Sequence, residues 1–124
     1  MQLLLGHKIF RLWALLAHVV FSMAMLWPLD KLPDVAYSFP DKWSHFAVFS
    51  TLYLLWAFAL ESKWSLIKLR LRLCFGLVIY GIIIELIQYK WLITRHGDLM
   101  DLVANTGGIL FGLILYHVRS NFNR

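Results

Sequence analysis

Between Tyr80 and Gly112 the chain reads YGIIIELIQYKWLITRHGDLMDLVANTGGILFG, two apolar runs into which Glu85, Gln88, Arg95, Asp98, Asp101 and Asn105 are set. Near the centre of a membrane-spanning helix an ionised carboxylate costs about 2.5–3.5 kcal/mol, so Glu85 is expected to be neutral, paired or lining a wet cavity. Ionisable groups placed this way mark a functional site by default. Gly81, Glu85 and Gln88 follow an i, i+4, i+7 spacing and share one helix face, where the glycine admits a neighbouring backbone. Asp98, Asp101, Asn105, Gly108 and Gly112 recur at spacings of three and four, giving a second stripe, acidic at one end and glycine-lined further along. Asp98 also stands where an N-cap is expected.

Working outward, the 124-residue chain has room for one domain, 1–124, and is 60% hydrophobic with only 15% charged residues, the balance of a membrane protein. Its net charge of +5 comes from residues scattered through short segments between apolar runs, not from a basic stripe, which argues against a nucleic-acid partner. Cys74 is the single cysteine, so no intrachain disulfide forms, and its apolar surroundings suit a buried thiol.

The fold class expected is all-α: one bundle of four transmembrane helices, spanning about 9–27, 43–60, 71–89 and 99–118. About 20 residues cross the hydrocarbon. Ser22-Met-Ala24 weakly resembles a signal-peptide cleavage site, but the apolar run continues past it to Trp27, so an uncleaved first span is expected. Pro28, Pro33 and Pro40 break the following segment into a surface loop. Asp41 is a candidate N-cap for the second span, and Lys63, Lys68, Arg70 and Arg72 crowd the connection to the third. Lys8, Arg11, those four residues, Arg119 and Arg124 fall on the terminal side, against Lys31, Lys42, Lys90 and Arg95 on the other. The positive-inside rule therefore places both termini in the cytoplasm.

This topology gathers residues far apart in sequence. Asp41, Lys42, Ser44 and His45 open the second span, Glu85 and Gln88 close the third, and Asp98, Asp101 and Asn105 open the fourth, all at outer-leaflet depth. Several chemistries fit. His45 with Glu85 is an acid/base couple if the protein is an enzyme. Lys42 and Arg95 suit an anionic head group, with Asp41, Gln88, Asp98, Asp101 and Asn105 completing a binding site. Interhelical hydrogen bonding that only holds the bundle together is the bland alternative. His45, Glu85, Asp98 and Asp101 are metal-ligand types, but their spacing follows no metal motif, so neither a metal nor any other cofactor is expected. His18, alone in the first span, is expected to be packed or pore-facing.

Asp41-Lys42-x-x-His45-Phe46, Glu85-x-x-Gln88 and Arg95-x-x-Asp98-x-x-Asp101-x-x-x-Asn105-x-x-Gly108, in that order at the ends of consecutive spans, resemble the VanZ-like family of small bacterial membrane proteins. The resemblance runs from Asp41 to Gly112, with Gly97 standing where Ser or Thr is expected. It implies a multi-pass protein of the bacterial cytoplasmic membrane, in a cell-envelope setting connected with teicoplanin-type glycopeptide resistance. The expected partner is a membrane lipid or lipid-linked envelope precursor. An intramembrane hydrolase or transferase acting on a lipid head group, and a structural member of a membrane complex, are the competing readings.

Overall fold

A computed structural model describes residues 2–27, 41–60, 67–91 and 98–122. The expected Pro28–Pro40 loop, the basic connection 61–66, Arg95 and its neighbours, and the side chain of Asp41 lie outside the described residues. The described secondary structure is helical throughout: α1 (Gln2–Leu26), α2 (Asp41–Ala59), α3 (Ile67–Trp91) and α4 (Leu99–Phe122).

The helices outrun the apolar sequences that announce them. α3 begins at Ile67 rather than Leu71, and α4 continues to Phe122 rather than stopping at Val118. Lys and Arg are good helix formers, so Lys8, Arg11, Lys68, Arg70 and Arg72 prolong the hydrogen-bonded ladder beyond the apolar run. At 25 residues, α1 and α3 are each about 37 Å long at 1.5 Å per residue, more than a 30 Å hydrocarbon core requires.

Gly6–Leu26 of α1, α3 and α4 are long and apolar enough to cross a membrane. α2 is not among them. Asp41, Lys42, Ser44, His45, Ser50 and Thr51 dilute its first half, and packing explains why this is tolerated. α2 lies chiefly against α4 and next against α1, with α3 closing onto α4. Its Phe49, Leu52, Tyr53 and Ala57 form the heart of the core with Leu77, Ile84, Ile109 and Tyr116. A helix enclosed by its neighbours does not need an apolar circumference. The exposed surface is apolar instead: Leu12, Trp13, Val19, Phe75, Val103 and Ile114 all point outward. A continuous apolar exterior of this kind marks a membrane-embedded surface or an interface.

Side-chain contacts define the two ends of the bundle. At one, His7 Nδ1 and Arg11 Nε reach the carbonyls of Phe58 and Ala59 at 3.2 and 3.3 Å, Arg119 lies over the Phe58 ring at 4.5 Å, and Arg70 meets His117. Arg11 and His7 thereby serve carbonyls that the last turn of α2 leaves without helical partners. At the other end Gln88 Nε2 donates to Met25 O at 2.9 Å, doing the same for α1, and the acidic residues gather. Helices therefore alternate in direction along the chain.

Between α2 and α4 the packing is close enough to need glycine. A Cβ on Gly108 would fall inside contact distance of the Phe46 carbonyl, and one on Gly112 would stand 3.0 Å from Tyr53 Cβ. Ser50 Oγ uses that proximity, donating to Gly108 O at 3.0 Å and sharing with Phe46 O at 2.8 Å.

Candidate functional site

The acidic end of the bundle is built by three helix termini. His45 projects from the first turns of α2, Glu85 from the last turns of α3, and Asp101 and Asn105, an i, i+4 pair, from one face of the first turns of α4. All four are buried, at 0, 8, 4 and 1% exposure respectively. Burying polar groups in this way is tolerated only when they satisfy one another.

Asn105 is the joint. Its Nδ2 donates to Glu85 Oε1 at 3.4 Å and its Oδ1 faces His45 Nδ1 at 2.8 Å. A carboxylate only accepts, so it orients the amide, and the amide oxygen then requires a proton on Nδ1. The same nitrogen lies 3.3 Å from Glu85 Oε1. Asn105 thus fixes the imidazole tautomer and holds His45 and Glu85 at a set distance. The other carboxylate oxygen, Glu85 Oε2, is shielded from solvent and has no hydrogen-bond partner among the described residues. Gly81, one turn below Glu85, would bring a Cβ to 3.2 Å from Asn105 Nδ2, so the glycine leaves room for the amide.

Asp98 caps α4: its Oδ1 accepts from Met100 N–H at 3.1 Å while its carbonyl accepts from Asp101 N–H at 3.0 Å. The Met100 N–H, helped by Lys42, holds the Asp98 carboxyl below its ordinary value of 3.8. Lys42 Nζ lies 3.5 Å from Asp98 Oδ2, with both side chains about half exposed, so the pair ties the start of α2 to the start of α4 at the rim and adds little stability.

Beside this cluster a cavity of about 200 Å³ lies between α3 and α4, lined by Ile82, Glu85, Leu86, Tyr89, Asp98, Leu99 and Leu102. Its walls are apolar, Ile82, Leu86 and Leu99 are also exposed on the flank of the bundle, and Glu85 is the buried ionisable side chain that lines it.

The structure therefore brings together His45, Glu85, Asp101 and Asn105, and sets Lys42 with Asp98 at the rim. Gln88 is placed elsewhere: it is buried at 2% exposure with its amide on α1. Arg95 lies outside the described residues. Two features escape a reading of the sequence. The cavity has no sequence signal, because its walls are ordinary aliphatic residues. A second polar group sits further along the bundle, where Ser22 Oγ and Tyr80 OH are 2.6 Å apart, Trp56 Nε1 donates to His18 Nδ1 at 3.4 Å, and the His18 and Tyr80 rings lie 4.2 Å apart. A lone histidine in an apolar helix is the available signal, and its partners come from α2 and α3.

Comparison of the chain with protein-family models, with curated proteins and with solved structures finds no match in any of the three.

Proposed function

We propose that this chain is a VanZ-like protein of the bacterial cytoplasmic membrane, with four spans and both termini in the cytoplasm. It binds a lipid, an anionic phospholipid or a lipid-linked envelope precursor, at an outward-facing site and thereby contributes to teicoplanin-type resistance. The observation that carries the lipid reading is the cavity between α3 and α4, whose apolar walls end on Glu85 of the buried cluster and on the Lys42–Asp98 pair at the rim. A lipid meets that combination with chain and head group together. Lys42 and Arg95 supply positive charge for a phosphate. In this reading α2 crosses the membrane sheltered by the other three helices, which is why it spans without being apolar all round.

A second reading, an intramembrane hydrolase or transferase, is favoured by the 3.3 Å separation of His45 Nδ1 and Glu85 Oε1, within reach of an acid/base couple. Expression in a glycopeptide-susceptible bacterium tests the biological setting. The wild-type chain should raise the teicoplanin concentration needed to inhibit growth, and Leu102→Trp, which fills the cavity and leaves the cluster untouched, should abolish the rise. An unchanged inhibitory concentration on wild-type expression would contradict the resistance assignment.

A further inference from the structure

We propose that His45, Glu85 and Asp101 form a binding site for one divalent first-row metal ion, Mn²⁺ or Zn²⁺. This goes beyond the lipid reading and does not depend on it. A ring nitrogen of His45 and one carboxylate oxygen from each acid all lie within 4.8 Å of one another, contributed by three helices. Ligands at about 2.1 Å from one ion are separated by roughly 3.0–3.4 Å, so the most widely separated of these atoms would have to close by no more than about 2 Å. With Nδ1 engaged by Asn105, the ring nitrogen that would coordinate is Nε2. Among the described residues, this is the one place where three His, Cys, Asp or Glu side chains converge in this way.

Charge points the same way. Two carboxylates buried within ligand reach of each other repel when both are ionised. A divalent ion neutralises both acids at once. Glu85 has the capacity for it, since its Oε2 is buried with no hydrogen-bond partner among the described residues.

The surroundings resemble those of a metal centre. Metal-ligating histidines are held by a second hydrogen bond that fixes tautomer and ring orientation, and Asn105 Oδ1 makes such a bond to His45 at 2.8 Å while its amide reaches Glu85. Three protein ligands leave a coordination position open, and Glu85 lines the cavity from which an outside oxygen would fill it. One imidazole with two carboxylates suits Mn²⁺ or Zn²⁺, being too rich in nitrogen for a Ca²⁺ cage and lacking the sulfur that selects Cu⁺.

The test uses the full chain, purified in detergent, stripped with EDTA, freed of chelator and titrated calorimetrically with MnCl₂ and with ZnCl₂. Mn²⁺ binding is followed in parallel by its electron paramagnetic resonance signal. We expect one ion per chain, bound at least tenfold more weakly by Glu85→Gln and by Asp101→Asn. Both variants preserve side-chain volume, and helix content by circular dichroism verifies their folding. His117→Gln, at an exposed histidine outside the trio, should bind as wild type does. No saturable binding of either ion by the wild-type chain, or wild-type affinity in both trio variants, would overturn the proposal. Because no lipid enters this titration, its failure is distinguishable from failure of the lipid reading.

Discussion

Asn105 illustrates how one amide can set the character of a site. It hydrogen-bonds a histidine on α2 and a carboxylate on α3 from a position on α4, and removing it takes one buried hydrogen bond from each. Leaving a buried partner unsatisfied costs about 1–3 kcal/mol. Asn105→Ala should therefore lower the thermal unfolding midpoint in detergent by several degrees, whereas Thr106→Ala, one residue along, removes only a bond to its own helix at Leu102 and should change it little. Equal effects would mean the Asn105 joint carries no special weight. Asp98 behaves differently, because its carboxylate is at the surface and stabilised by Met100 N–H. Its folded form binds a proton more weakly than the unfolded chain does. Its contribution to stability is therefore present above the ordinary carboxylate value of 3.8 and is lost as pH falls through the lowered one. Asn is also a good cap, so comparing wild type with Asp98→Asn isolates the charge. The wild-type advantage should hold steady from neutral pH to about pH 5 and shrink below about pH 4. An advantage that grows on acidification would reverse the assignment.

Among the elements, the α2–α4 seam fixes where the site residues stand. The Gly108-x-x-x-Gly112 spacing signals close packing in the sequence, and the partner is α2, brought so near that Ser50 hydrogen-bonds across to Gly108 O. Overpacking a close seam costs typically about 1–3 kcal/mol. Gly108→Ala should cost at least that, since a backbone carbonyl cannot move aside as a side chain does, and it should displace His45 from Asn105. At Gly76 an alanine methyl would meet nothing within 4 Å, so Gly76→Ala should be neutral or stabilising by about 0.5–1 kcal/mol, the helix-interior preference for alanine. Unfolding midpoints of the two variants side by side decide the matter; equal midpoints would mean the seam is looser than described. The apolar runs that mark α1, α3 and α4 are legible in the sequence because those helices present apolar surface outward. α2 is harder to read, since burial among protein neighbours removes the pressure for uniform hydrophobicity. Helix ends extend past expectation because Lys and Arg favour helix wherever the apolar run stops.

For the whole molecule, an apolar exterior encloses an interior that is polar at one end, and this inversion is what made the site legible. His45, Glu85, Asp101 and Asn105 stand out in sequence because nothing in an apolar helix requires them. What sequence does not disclose is which of them touch: Gln88, on the same face as Glu85, turns to α1 because the end of that helix happens to need a donor. The cavity is silent in sequence for the same reason, being made by the relative placement of α3 and α4. Orientation in the membrane is tested by single cysteines at Ser38 and Ser65 in a Cys74→Ser background. Ser38→Cys should react with an impermeant maleimide in intact cells and Ser65→Cys should not; the opposite pattern would place the site on the cytoplasmic face.

The central claim, that the cavity beside Glu85 holds a lipid, is tested most directly by native mass spectrometry of the chain released from detergent or nanodiscs. Wild type should retain one lipid per chain at collision energies that strip the bulk lipids, and the released molecule should keep its intact mass, head group included. Leu102→Trp, with the cavity filled and His45, Glu85 and Asp101 unaltered, should lose that lipid. Retention by Leu102→Trp equal to that of wild type would contradict the account, and recovery of a lipid lacking its head group would favour the enzyme.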